Sequence, residues 1–102
     1  MRVEITEPAE QFLMEIYQFI KTTSSEEKAD TIAHKILDHA EALAHFPNRG
    51  QIEAHLKSLG KGHRYIIVDK YKIIYLVQEP VIYITDIFDS RQDPGKLSKR
   101  NK

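Results

Sequence analysis

The run His63 to Leu97, HRYIIVDKYKIIYLVQEPVIYITDIFDSRQDPGKL, limits the fold more than any other part of the chain. It is rich in Ile, Val and Tyr and is punctuated twice, at Asp69-Lys70 and at Gln78-Glu79-Pro80. Such segments read as three consecutive strands, about Arg64 to Val68, Tyr71 to Val77 and Val81 to Phe88. Asp69-Lys70 suits a tight two-residue turn without the usual glycine, and Pro80 is barred from a central ladder position. Three strands joined by turns this short form an antiparallel meander.

What precedes the run supplies its cover. Arg2-Val3-Glu4-Ile5-Thr6 alternates like a half-buried strand. Thr6 then caps a helix with Glu7 and Pro8 in its first turn, and Ala9, Phe12, Leu13, Ile16 and Ile20 form an apolar stripe. Ser24 with Glu27 three residues later is a capping-box signal for a second helix. Its apolar face runs from Ala29 through Ile32, Ile36, Leu37 and Ala40 to Leu43, and Phe46-Pro47-Asn48-Arg49-Gly50 ends it. A short connection predicts that the two helices lie antiparallel as a hairpin. Gln51 to Gly62 reads as a polar loop with a helical turn at Glu53 to Ser58, and Ser98 to Lys102 as a basic, frayed tail. The expectation is one α+β domain over residues 1–97, β-α-α-β-β-β, with the hairpin on one face of a small antiparallel sheet and the other face open.

The two-residue first turn pairs Val68 with Tyr71, Ile66 with Ile73 and Arg64 with Tyr75. A three-residue second turn would add Tyr83 opposite Tyr75, making a row of Arg64, Tyr75 and Tyr83 on the open face. Ile67, Ile74, Leu76, Ile82, Ile84 and Phe88 would then line the helices. A two-residue second turn would swap the faces of the last strand. An arginine beside two tyrosines suits phosphate, bases or a protein partner. Equally, it suits a pair of half-wet tyrosines with a stacked arginine.

The composition narrows the chemistry. With 102 residues there is room for one small core, and with no cysteine there is no disulfide, thiolate metal site or thiol nucleophile. The cysteine count fits a reducing cytoplasm, the mixed residues Met1 to Thr6 predict no signal peptide, and no apolar run predicts a membrane span. Zero net charge conceals a division: Met1 to His55 carries 5 basic and 10 acidic residues, and Leu56 to Lys102 carries 10 basic and 5 acidic. The basic half can meet an acidic or anionic partner, or the segregation is simply how exposed residues fall.

No cofactor or metal is expected. Asp30, His34 and Asp38 share a helix face, but Lys35 is adjacent and no fourth ligand is suitably spaced. Gly60-Lys61-Gly62 is too short to cradle phosphate, and no serine sits in a nucleophile elbow. One cluster has catalytic potential: Lys57, Lys61, His63, Arg64 and Arg91. RNA cleavage by 2′-hydroxyl attack needs proton transfer, which histidine performs near neutral pH, and cations to hold the phosphorane. The same five residues also make an ordinary basic docking surface.

The element order, the helical hairpin and the segment Tyr65 to Leu97 resemble the RelE/ParE family of bacterial toxins from type II toxin–antitoxin, or plasmid-stabilisation, modules. Tyr71-Lys72-Ile73-Ile74-Tyr75-Leu76-Val77 and the strand ending in Asp89-Ser90-Arg91-Gln92-Asp93-Pro94 carry most of the likeness. The resemblance implies a growth-inhibiting toxin. RelE-like members cut messenger RNA on the ribosome, as mRNA interferases, whereas ParE-like members poison DNA gyrase. It makes Arg64 and Arg91 similar to the RelE-type arginines, and Lys57 and Lys61 loosely similar to the lysines before the sheet. No tyrosine follows Tyr83 and no His-Tyr pair ends the chain, so the late tyrosine of RelE has no counterpart. These departures, with the neutral charge, favour a ParE-like toxin that does not hydrolyse RNA. Arg64, Tyr75, Tyr83 and Arg91 would then contact the target, and Lys61, His63, Arg64 and Arg91 would be the catalytic set of a nuclease. The implied partner is an acidic, partly disordered antitoxin that folds on the toxin, adding a strand to the sheet edge and a helix in a groove.

Overall fold

Thr6 ends the first strand and starts the first helix. In the computed structural model, which describes residues 1–101, β1 spans Arg2–Ile5 and α1 Glu7–Thr23. The Thr6 amide donates to Ile84 O at 3.0 Å, and its hydroxyl accepts from Ala9 N at 3.3 Å. Ala9, Leu13, Ile16 and Ile20 pack inward, as their spacing predicts. The second helix, α2, spans Glu26–Ala42. Its cap is Ser25, whose hydroxyl accepts from Lys28 N, one residue later than the capping-box spacing suggests. Ser24 instead closes α1 through a backbone bond to Ile20 O. Tyr17 joins the helices by donating to Asp30 Oδ1 at 2.6 Å, and that bond pushes the phenol's pKa up to about 12.

After α2 come β2 (Gln51–Ile52), a 3₁₀ helix (Ala54–Leu59), β3 (Arg64–Val68), β4 (Tyr71–Gln78), β5 (Val81–Asp89) and α3 (Lys96–Arg100). The sheet order is β1-β5-β4-β3-β2. β1 pairs with β5 in parallel and every other pair is antiparallel, so the sheet is mixed. The helical turn expected near Glu53 is present, whereas the two-residue β2 gave no recognisable strand pattern.

The first turn holds the predicted register, with Arg64 opposite Tyr75 and Val68 opposite Tyr71. Asp69 takes the left-handed conformation (φ 55°) that a glycine would have supplied. The second turn departs from the three-residue expectation. Gln78 pairs with Val81 across two residues, and a bulge at Ile74/Tyr75 leaves Thr85 without an opposite number. Tyr83 therefore faces Leu76 while Tyr75 faces Ile84, and the row of Arg64, Tyr75 and Tyr83 does not form.

The faces of β3 and β4 are also exchanged relative to expectation. α1 and α2 cover Ile66, Val68, Tyr71, Ile73 and Tyr75, together with Ile82, Ile84 and Ile87 of β5. Ile74 and Phe88 point the other way, where the 3₁₀ helix and α3 lay Leu56 and Leu97 over them. The opposite face is thus plugged at its centre by the chain itself. The middle of β4 is buried on both sides, and this removes the alternation that would mark its inner face. The expected frayed tail is helical through Arg100, with Leu97 fully buried. Lys102, the end of that expected tail, lies outside the described residues. No helix among the described residues is long and apolar enough to cross a membrane.

Candidate functional site

Arg64 and Tyr75 pair as predicted, but they turn towards the loop that follows α2. Arg64 Nη1 donates to Gly50 O at 2.8 Å. The Tyr75 hydroxyl donates to Pro47 O at 2.9 Å and accepts from Gly50 N at 2.8 Å. Tyr75 is 0 % exposed, and burial raises its pKa against the pull of the Gly50 amide and the Arg64 charge. Gly50 is required at this crossing: a Cβ there would lie 2.6 Å from the Tyr75 hydroxyl and 2.7 Å from Tyr65 O. Tyr83 is half-buried on the opposite face.

His63 sits at 3 % exposure with Nδ1 lacking a hydrogen-bond partner. Desolvation holds its pKa below the ordinary 6.5, Lys61 adds to that, and Glu53 opposes it. Glu53 is itself buried, and its carboxylate accepts from Lys72 Nζ at 2.8 Å and from His55 N at 3.2 Å. Lys72 Nζ also lies 4.4 Å from the Tyr65 ring centroid. This Glu53–Lys72 clamp fastens the 3₁₀ helix to β4. Nothing in the polar stretch around Glu53 signals it.

Arg91 is exposed and grips Asp89 in a fork, Nε to Oδ1 at 3.0 Å and Nη2 to Oδ2 at 2.7 Å. That grip lowers the Asp89 pKa and raises that of Arg91. Ser90 bonds Lys70 O through its amide and hydroxyl, which sets Arg91 beside the β3–β4 turn. Arg64 begins β3 and so occupies the far end of a five-residue strand, on the order of 13 Å away at ~3.3 Å per residue. The candidate set is therefore divided: Arg91 at one end, Arg64 at the other, His63 inside, and Lys57 and Lys61 exposed on the covering segment. These positions set Arg91 apart from the other four candidates and bury the His63 imidazole.

Two further features escaped sequence reasoning. Asp86 is 0 % exposed and accepts from Arg100 Nη2 at 2.7 Å and Asn101 Nδ2 at 2.8 Å. Burial raises the Asp86 pKa, while Arg100 and Asn101 act against the rise. The available signal was an acid set among Ile84, Ile87 and Phe88, which calls for a buried partner. Second, β2 pairs only with Tyr65 and Arg64, so among the described residues Ile66 to Val68 carry no strand on their outer side. Ile52 and Ile67 are exposed along that edge. Among the described residues no group of three or more His, Asp or Glu could hold a metal.

Comparison with known proteins agrees with this architecture. A chain from a chromosomal ParDE TA system of P. aeruginosa superposes with a TM-score of 0.73 at 22 % identity, covering 87 % of this chain and 95 % of that one. A search of curated proteins gives no match. The family profile described as "ParE toxin of type II toxin-antitoxin system, parDE" matches residues 3–94. A match over nearly the whole folded body, on a β-α-α sheet scaffold of this form, places the chain in the ParE toxin family of type II toxin–antitoxin systems.

Proposed function

We propose that this protein inhibits growth by binding DNA gyrase in the cytoplasm and is neutralised by a cognate acidic antitoxin. The dispersal of Lys61, His63, Arg64 and Arg91 carries this reading. A nuclease of the RelE type needs those groups around one phosphate, and here a buried imidazole and two arginines at opposite strand ends cannot meet there. A binding toxin needs only exposed contacts. Of Arg64, Tyr75, Tyr83 and Arg91, Arg91 alone has an exposed side chain, and we assign target contact to it. Arg64 and Tyr75 serve as framework. The outer side of Ile66 to Val68, with Ile67 exposed, supports antitoxin docking by strand addition.

Induction without the neighbouring gene, with supercoiling and translation followed in parallel, tests the proposal. Gyrase poisoning predicts DNA damage and filamentation with translation intact, and co-expression of the protein encoded by the adjacent reading frame should restore growth. Cleaved messages and arrested translation would establish the nuclease instead. Unchanged growth would mark the protein as inert.

A further inference from the structure

The side of the sheet away from the hairpin is covered by two short segments, residues 53–63 and α3. They lie against each other and hold Leu56 and Leu97 over Ile74 and Phe88. Four lysines stand on their outer surface, Lys57 and Lys61 on the first segment and Lys96 and Lys99 on the second. All four are exposed, and none has an ion-pair partner among the described residues. Lys96 and Lys99, three residues apart, share one face of α3, while Leu97 and Arg100 take the inward face.

The acids of this side are already paired. Glu53 is held by Lys72 at 2.8 Å, Asp86 by Arg100 at 2.7 Å and Glu4 on β1 by Arg2 at 3.0 Å. Asp93, just before α3, turns its carboxylate to Gly95 N at 2.9 Å. The hairpin on the other side has the opposite sign, because α1 and α2 carry eight acids and three lysines. The molecule is therefore polarised across its sheet as well as along its chain.

The chemistry of the lysine cluster narrows its partner. Neither covering segment exposes a large apolar residue, so a protein would find no anchor there, and lysine is depleted in protein interfaces. The same lack leaves nothing to insert into a lipid surface. Single-stranded nucleic acid binds by stacking bases on rings. Phe88 is buried and Tyr65 is half-buried beside Lys72, and His55, the one exposed ring on the two segments, is too little for a stacking platform. Arg100 is held by Asp86 and Asn101 is buried, so no free fork or amide is left to read base edges. What remains is a set of point charges, which suits the phosphates of a duplex.

We propose that Lys57, Lys61, Lys96 and Lys99 form a sequence-independent contact for the phosphate backbone of double-stranded DNA. The acidic hairpin is repelled by the same phosphates, so the molecule approaches DNA with its covered sheet face foremost. The inference goes beyond the gyrase reading and does not depend on it.

Fluorescence anisotropy of the full chain with a mixed-sequence DNA duplex of about 30 base pairs tests it, at up to ~100 μM protein. Four phosphate contacts give a slope of log affinity against log salt of about −3.6, so affinity should fall roughly 100-fold between about 50 and 200 mM salt. Lys57→Gln/Lys61→Gln and Lys96→Gln/Lys99→Gln should each halve that slope to about −1.8, and the fourfold variant should not bind. Lys21→Gln/Lys28→Gln, on the hairpin, should bind as wild type. All these positions are exposed, and an unchanged urea midpoint checks that each variant stays folded. Absence of wild-type binding at ~50 mM salt would overturn the proposal, as would a fourfold variant that binds normally or a slope altered by one pair only. Tighter binding to a single strand of the same length, to duplex RNA, or to vesicles with about one third anionic lipid would also overturn it and give the cluster to that partner.

Discussion

Arg100 reaches back to Asp86 at 2.7 Å and, in doing so, lays its guanidinium 3.6 Å from the Phe12 ring centroid. One side chain thereby joins α3 to the centre of β5 and to the flank of α1. Arg100→Ala would leave a fully buried carboxylate with no cation, held only by Asn101 and the Ile87 amide. Breaking a buried pair costs about 3–5 kcal/mol, and the partial exposure of Arg100 reduces this to roughly 2 kcal/mol. Urea unfolding should show that loss, and Asp86→Asn, which removes the buried charge but keeps one carbonyl acceptor, should show a smaller one.

Tyr75, Pro47 and Gly50 close the loop after α2. Tyr75→Phe removes one acceptor and one donor and strands the Gly50 amide, for about 1–2 kcal/mol. Gly50→Ala should cost more, because the new methyl would meet a backbone carbonyl as well as the phenol. Ranking the two variants by urea midpoint checks the order, and the reverse order would show that the loop yields easily.

His63 makes stability depend on pH. Its folded pKa lies below the unfolded value of 6.5, so below pH 6.5 the unfolded chain binds more protons than the folded one. The stabilisation is full above pH 6.5 and is lost as pH falls through the depressed folded value. The slope is at most about 1.4 kcal/mol per pH unit. Unfolding free energies at several pH values between 7.5 and 4.5 should fall along this course, and His63→Gln should flatten the upper part of it.

Arg64 and Arg91 should separate cleanly. Arg64→Ala removes a charged donor from Gly50 O and should destabilise the protein by about 1 kcal/mol. Arg91→Ala should lower the urea midpoint only slightly, because the Arg91 end of its pair with half-buried Asp89 is exposed. Growth inhibition should follow the opposite order, falling with Arg91→Ala and persisting with Arg64→Ala wherever the protein stays folded.

The outer side of β3 offers the remaining test. Ile67→Lys places a charge on the exposed position of that strand, a change that discourages strand addition. Co-purification with the adjacent gene's product should drop, while thermal stability should change little.

Much of this molecule was legible before any coordinates. The stripe Ala9, Leu13, Ile16 and Ile20 and the Thr6 cap depend on short-range spacing, and both hold. So does the Arg64–Tyr75 pairing, which follows from a two-residue turn. Legibility failed where geometry depends on distant segments. The bulge at Ile74/Tyr75 turns the face of Tyr83, and no local pattern encodes it. Ile74 and Phe88 look like hairpin-facing residues because Leu56 and Leu97 give them a second core, and periodicity cannot tell one apolar environment from the other. The candidate site suffered for the same reason. Basic residues close in sequence look like one cluster, but His63 turns inward and Arg64 Nη1 donates to Gly50 O.

The parallel pairing of β1 with β5 also bears on when the fold can be completed. Arg2 and Val81 are neighbours in the sheet yet lie at nearly opposite ends of the polypeptide. A lengthening nascent chain therefore holds its first strand unmatched until the last one has emerged, and closing so long a loop is slow. Synthesis itself thus postpones completion of the sheet until β5 has been made.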